Sequence, residues 1–407
     1  MRIVHFLVGR VNPNGMNGGR RAIYHLAQTT AQMGAELLIT GLSEKPPLPV
    51  GWSRVCNFAP PRNPFALPRE LTDALFEFRP DVVHFHDLYN PRSATLARWL
   101  LRRGIPYAVS AHGGLMPGAF ARDRVRKEFY IRLVVLPWLR NASLFHAISA
   151  AEAEALSRLV PGVPCVVAPH GIERVDLTVL DGSYLRRRCP PLEGKRILGF
   201  LGRLDPFIKG LDLLAEACSR ARMSLGHVRV ALAGPEWRGR TESLYQLLKQ
   251  FGLSNMFHFL GPIVGRERFD FLFSCDAVVL PSRSEAGIPF SVLEALEAGR
   301  PCLVSEAANA ENFFRRYRAG LQIPPTVEGV AGGLRYFAGA AAEDLRAMGE
   351  EGRRGVQQEF SWEGTADTLL RAYRQIRKTA GSGRRMSKDA SKREMCGHST
   401  APHGKEA

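Results

Sequence analysis

Four loops of this 407-residue chain hold residue types that can do chemistry. In Gly202–Gly210 (GRLDPFIKG) two cations, Arg203 and Lys209, share one loop. A guanidinium can grip phosphate oxygens as a fork, and an ammonium can meet them as a point charge. In Pro281–Glu294 (PSRSEAGIPFSVLE), Glu285 lies in a loop and Glu294 in the helix that follows, with eight residues between them. The free N–H groups at that helix start suit a phosphate. A carboxylate on the helix can accept both hydroxyls of a ribose. Gly15-Met-Asn-Gly-Gly19 precedes a helical stretch, and its glycines, Gly18 and Gly19 among them, let backbone N–H groups approach an anion. The spacing is not GxGxxG, so a nicotinamide dinucleotide is not indicated. Ser110-Ala-His112-Gly-Gly114 offers an imidazole to sugar hydroxyls or to a developing charge. His84-Phe-His86-Asp87 tempts a metal reading, because alternate strand residues share a face. No third ligand at a recognisable spacing follows, and zinc normally takes three or four protein ligands, so no metal is expected.

These loops need elements to hold them, and the sequence supplies a repeating order. MRIVHFLV is a near-continuous apolar run, as in a strand buried on both faces. A glycine-rich loop and a helical pattern follow. The order recurs with strands at 35–40, 81–85, 107–110, 144–148 and 165–168. It restarts with RILGFL (196–201), VRVALA (228–233), 256–260, AVVL (277–280) and 301–305. Alternating strands and helices imply parallel sheets covered on both faces. The expected architecture is α/β: two tandem Rossmann-like, doubly wound domains facing a cleft. Their bounds are 1–175 and 195–360, joined by a polar linker at 176–194. An amphipathic helix at 361–378 follows. Residues 379–407 carry Gly, Ser, Lys and Arg and almost nothing apolar, so a disordered basic tail is expected there.

Composition narrows the class. The chain is 45% hydrophobic and 23% charged, which excludes a wholly disordered, collagenous or coiled-coil protein. No apolar run reaches the ~20 residues that span a bilayer, and no signal peptide is visible. Seven scattered cysteines without CxxC pairs predict reduced thiols in a cytoplasmic protein. The net charge is +16, and only 9 of the 55 basic residues are lysine. Such a surplus fits anionic partners in general. In Arg122–Arg140 (RDRVRKEFYIRLVVLPWLR) basic residues alternate with apolar ones. A helix of this kind can lie on an anionic membrane face or pack its apolar side on the core. Pro137 should end or kink it.

Taken together, the motifs run in one fixed order: GRLDPFIKG, AGPE at 233–236, FHFLGPI, then CDAVVLPSRSEAGIPFSVLEALEAGRPCLVS. That order resembles the nucleotide-binding half of the retaining GT-B glycosyltransferases, glycosyltransferase family 4 (group 1). The first half agrees, with its GG loop, PDVVHFHD, SAHGG, and ISAAEAEAL leading to PHGIE. The resemblance implies transfer of a sugar from a nucleotide-diphosphate donor with retention of configuration and without a metal or other cofactor. It implies a glycan or lipid-linked acceptor, as in surface polysaccharide or lipopolysaccharide assembly. It does not imply nucleic acid. By the same resemblance Arg203 and Lys209 neutralise the donor diphosphate, Glu294 holds the ribose and Glu285 contacts the sugar. His112 lies beside the transferred sugar, Gly18 and Gly19 face the diphosphate from the other domain, and Gly287 belongs to the donor loop. The last helix crosses back to brace the first domain. Two rivals are a GT-B-fold epimerase and a non-catalytic glycan- or membrane-binding relative. The two glutamates stand one residue further apart than the family's usual spacing, as do Arg203 and Lys209. Counting back from Glu294 lands on Ala286, so Glu285 is expected to reach the sugar through a bulge at Gly287, which glycine tolerates cheaply.

Overall fold

The computed structural model describes residues 1–15, 17–121 and 123–396; at Glu311 and from residue 381 on it describes the backbone alone. The first sheet comprises β1 (Arg2–Val8), β2 (Glu36–Leu42), β3 (Arg54–Phe58), β4 (Val82–Phe85), β5 (Tyr107–Ser110), β6 (Leu144–Ala147) and β7 (Cys165–Val167). Its order is β3-β2-β1-β4-β5-β6-β7, with every pair parallel. The second comprises β8 (Arg196–Leu201), β9 (Val228–Ala233), β10 (Phe257–Gly261), β11 (Ala277–Leu280), β12 (Cys302–Ser305) and β13 (Gly320–Ile323). Its order is β10-β9-β8-β11-β12-β13, again parallel throughout. Two doubly wound sheets are thus present, as the alternating pattern requires.

Strand order reverses between β1 and β4 in the first sheet and between β8 and β11 in the second. A doubly wound sheet opens its ligand crevice at such a reversal, beyond the carboxyl ends of the strands. The glycine loop follows β1, His86 follows β4, GRLDPFIKG follows β8 and PSRSEAGIP follows β11. Topology alone therefore delivers two of these segments to the crevice of each sheet.

Three expectations change. Edge strands β3 (RVCNF) and β13 (GLQI) lack a long apolar run because only half of each is covered, and the pattern missed them. Residues 176–194 are not a free linker: Leu180, Leu185 and Leu192 are buried in the second core, and Tyr184–Arg188 is a short helix. The last helix runs Trp362–Cys396, past the expected end at 378; Ala, Met, Lys, Arg and Glu are helix formers, so a stretch too polar for a core still continues a turn already nucleated. Of the tail expected to be disordered, 397–407 lie outside the described residues.

That helix does cross back. Trp362, Leu369, Leu370 and Tyr373 are buried with Ile3, Leu7, Ile23 and Val82 on one face of the first sheet. Along 124–139, helix Arg124–Tyr130 passes into a wide π turn, Ile131–Val135, before Leu136–Leu139. Pro137 lacks an N–H and would crowd the preceding turn, and the widened turn makes room for it.

Candidate active site

The second-domain wall is built on the loop after β8. Asp205 Oδ1 accepts from the N–H groups of Phe207 and Ile208, each at 3.2 Å, and faces Arg240 at 3.5 Å. This holds the loop while leaving both expected cations at its rim. Arg203 is exposed, and its guanidinium lies 4.3 Å over the Trp237 ring. The indole thus fixes a plane that would otherwise sweep freely, a cation–π contact of about 0.5–1 kcal/mol at an exposed site. Lys209 Nζ donates to Glu285 Oε1 at 2.5 Å, with both side chains 13% exposed. The two residues expected to touch diphosphate and sugar therefore touch each other.

Glu294 is held differently. Arg21 Nη1 and Arg268 Nε both donate to its Oε1, at 2.6 and 2.7 Å. All three side chains are buried, and Arg268 Nη2 continues to Glu173 at 2.8 Å. Both arginines use one carboxylate oxygen; Oε2 takes no protein hydrogen bond among the described residues. Arg21 belongs to the helix Gly18–Gln32 of the first domain, so this triad is a seam across the cleft. Sequence reasoning missed Arg21 and Arg268. The GGRR run placed Arg21 two residues past the glycine loop, but nothing in a linear sequence shows which carboxylate it meets.

The bulge expected at Gly287 is not there. Gly287 does not adopt a left-handed angle, and it packs against Ile148 and Ser149. The extra residue is taken up by leaning the whole loop on the first domain. Ser149 Oγ donates to the Ala286 carbonyl, and Gly118 N–H donates to Ser284 Oγ at 2.8 Å. A Cβ added at Gly113 would stand 3.1 Å from the Ala286 Cβ. Deleting Ala286 would remove its contacts with Ser149 and Gly113.

On the first-domain side, Gly18 and Gly19 open a 15-residue helix whose first turn has no acidic residue. Asn17 caps it by accepting from Arg20 N–H at 3.1 Å. A Cβ at Gly18 would stand 3.0 Å from the Phe290 ring, so the glycine is needed for close approach to the second domain. His112 has φ +46°, a left-handed angle uncommon outside glycine. The next peptide is pinned: Glu152 accepts from Gly113 N–H at 2.6 Å and from Ile148 N–H at 2.9 Å. Burial raises the Glu152 pKa, and these two N–H groups oppose the rise.

Behind His112 lies a row of imidazoles. His5, His84 and His86 bring ring nitrogens within 4.8 Å of one another. The third imidazole that the linear spacing did not supply comes from β1, which pairs beside β4. His86 Nδ1 and His112 Nε2 are 3.0 Å apart, and His84 Nδ1 is 2.6 Å from the Tyr373 hydroxyl. Burial lowers the pKa of His5 and His112 to about 3 and of His146 to about 4, so these rings are neutral at pH 7.

Helix 124–139 packs one side on the core and leaves apolar residues exposed on the other. Ile131, Val135, Trp138 and Leu139 are buried in the core. Val125, Phe129 and Leu133, four apart, are 81%, 64% and 62% exposed. Beside them a cleft of about 640 Å³ is lined by Leu115, Phe120, Ile131 and Leu159 together with Arg124, Arg132 and Arg158. No helix among the described residues is long and apolar enough to cross a membrane.

This geometry coincides with clear likenesses. Residues 195–338 match the family model "Glycosyl transferases group 1", and residues 16–175 match "Glycosyltransferase Family 4". A D-inositol 3-phosphate glycosyltransferase from Stackebrandtia nassauensis is 29% identical over 307 residues, covering 72% of this chain and 68% of the relative. Among solved structures, a sucrose-phosphate synthase from Thermosynechococcus elongatus superposes with TM-score 0.74 at 19% identity, covering 92% of this chain and 98% of that one. The Anabaena protein HepE in complex with UDP and glucose superposes with TM-score 0.68 at 18% identity, covering 93% and 99%. The two structural likenesses concern the GT-B fold.

Proposed function

The chain belongs to the group 1, family 4 glycosyltransferases of GT-B fold, and from that premise we propose that it moves a sugar from a nucleotide-diphosphate donor to an acceptor with retention of anomeric configuration. The observation that carries this reading is the Lys209–Glu285 pair at the rim of the crevice. A diphosphate entering there offers Lys209 a stronger partner than one carboxylate. Lys209 and Arg203 then face the phosphates, and Glu285 is released to accept hydrogen bonds from sugar hydroxyls. The free N–H groups at Gly18 and Gly19 face the same anion from across the cleft. Negative charge grows on the leaving diphosphate in the transition state, and fixed cations and helix N–H groups stabilise it there. On this reading the protein's own cations do that work, and no metal is called for. Glu294 Oε2 is the oxygen left for the ribose.

For the acceptor, the basic and apolar cleft beside His112's loop suits a lipid-linked glycan of a surface polysaccharide or lipopolysaccharide. The exposed stripe Val125–Phe129–Leu133 would rest on an anionic membrane face, making the protein cytoplasmic and peripheral. A second reading is favoured by the three arginines of that cleft and by a relative named D-inositol 3-phosphate glycosyltransferase: a small phosphorylated sugar or polyol.

The test is a thermal-shift screen with UDP-, GDP- and ADP-sugars. A true donor at about 100 times its dissociation constant adds about 2.7 kcal/mol of stability. Product from the stabilising donor is then checked for an α-anomeric linkage by NMR. Absence of a shift with every nucleotide sugar would defeat the donor assignment, and an inverted product would defeat retention.

A further inference from the structure

Two hydrogen-bonded lines of histidines cross the first sheet, and they differ at their ends. In the first, His146 Nε2 meets the Ala168 carbonyl at 2.8 Å. A carbonyl only accepts, so His146 donates from Nε2 and, being neutral, accepts at Nδ1. Ser110 Oγ, 2.7 Å away, therefore donates to it. The Ser110 oxygen in turn accepts from His84 Nε2 at 2.7 Å, which leaves His84 Nδ1 to accept from the Tyr373 hydroxyl. One carbonyl sets every proton in that line.

The second line has no such anchor. His5 Nδ1 lies 2.8 Å from His86 Nε2, and His86 Nδ1 lies 3.0 Å from His112 Nε2. Its outer atoms, His5 Nε2 and His112 Nδ1, are buried and without a partner. With three neutral rings the protons can run either way. Running from His112 toward His5, they leave an unmet N–H at His5 Nε2, on a residue 0% exposed inside β1. Running from His5 toward His112, they leave only a lone pair at His5 and place an N–H at His112 Nδ1, next to the donor loop. A buried N–H without an acceptor is costlier than an unmet lone pair, and only at His112 can a ligand oxygen relieve it.

We propose that His86 and His5 are positioning residues that fix the tautomer and ring plane of His112, so that it presents an Nδ1–H donor to an oxygen of the transferred sugar. This rests on the reading above that His112 borders the sugar site. Metal binding is the competing use of His5, His84 and His86. It would break at least one hydrogen bond at His84 and one at His86, since both nitrogens of each ring are already partnered.

The experiment is a long-range nitrogen–proton correlation spectrum of the full chain with isotope-labelled histidine, His112 being assigned by loss of its signals in His112→Asn. The expected pattern is protonated Nδ1 and bare Nε2 at His112; the opposite tautomer overturns the proposal. Kinetics of two variants then separate positioning from packing. Asparagine keeps a donor where His86 Nδ1 stood, and leucine does not. His86→Leu should raise the donor KM roughly tenfold with kcat little changed, and His86→Asn should restore it to within about threefold of wild type. Equal losses in both would reduce His86 to packing and overturn the proposal, as would stoichiometric zinc uptake that shifts the His84 and His86 signals. If the protein transfers no nucleotide sugar at all, the functional reading fails, while the His112 spectrum still judges the tautomer.

Discussion

The two sheets share a topology but have opposite interiors. Buried in the first are His5, His84, His86, Ser110 and His146, tied into lines of hydrogen bonds. The second is filled by Leu, Ile, Val, Phe and Ala from strands such as RILGFL and AVVL, and Arg203, Lys209 and Glu285 stand in loops at its strand ends. The second domain is thus an apolar platform with a charged rim, which can exchange partners without disturbing the core. In the first domain polar groups are built into the core, and shaping the site is inseparable from folding.

Acid should expose this contrast most strongly. Burial depresses the pKa of His5 and His112 to about 3 and of His146 to about 4, all below the unfolded value of 6.5. The stability they contribute is complete above pH 6.5 and is lost as pH falls from there toward the folded values. The slope is about 1.4 kcal/mol per pH unit for each group, about 4 kcal/mol for the three together. Hydrogen exchange at pH 7 and pH 5 should therefore show β1, β4 and β6 opening well before β8 and β11. Simultaneous opening would erase the contrast. Next in size is the seam between the halves. Glu294→Gln leaves Arg21 as a buried cation without a counter-charge and Arg268 with Glu173 alone, and should cost about 3–5 kcal/mol in denaturant unfolding. Adding Arg21→Met should return part of that loss.

The rim charges should behave in the opposite sense. Lys209→Ala and Arg203→Ala should each lower turnover about tenfold or more, since a charge-assisted contact is worth ~1.5–3 kcal/mol, and should barely move stability. Glu285→Gln should also slow transfer while leaving unfolding within about 1 kcal/mol of wild type, because a part-exposed pair adds little to stability. A large stability loss from Glu285→Gln would mean the rim is structural after all. The smallest effect concerns the outer helix. Changing Arg124, Arg126 and Lys127 to glutamine should reduce sedimentation with anionic vesicles by severalfold at low salt and not at high salt, where exposed charges are screened. Equal sedimentation would leave Val125, Phe129 and Leu133 without a membrane role.

The same contrast explains what could be read from the sequence. Apolar strands followed by charged loops announce themselves, so the second domain's strands other than β13, with Arg203, Lys209 and both glutamates, were visible by type and spacing. The partners were not. Glu294 meets Arg21 from 273 positions away, and Lys209 meets Glu285 across 76. In the first domain His84 and His86 could be seen to share a face, but His5 joins them only because β1 lies beside β4. The inserted residue was noticed and its consequence misjudged. A glycine's tolerance suggested a local bulge, whereas contacts with Gly113, Gly118 and Ser149 hold the loop as a body.

The return of the last helix to the first sheet has a consequence for how the protein is made. Trp362, Leu369, Leu370, Tyr373 and Ile376 complete a face whose other members, Ile3, Leu7 and Ile23, leave the ribosome first. Domains commonly fold in order of synthesis, as each emerges. Here the amino-terminal domain cannot close that face, nor can His84 find its hydroxyl, until the second domain and the last helix have been translated. The nascent chain therefore carries an open apolar surface through most of its synthesis. A messenger truncated before the codon for Trp362 would yield a product that keeps both sheets and lacks the cover for the first.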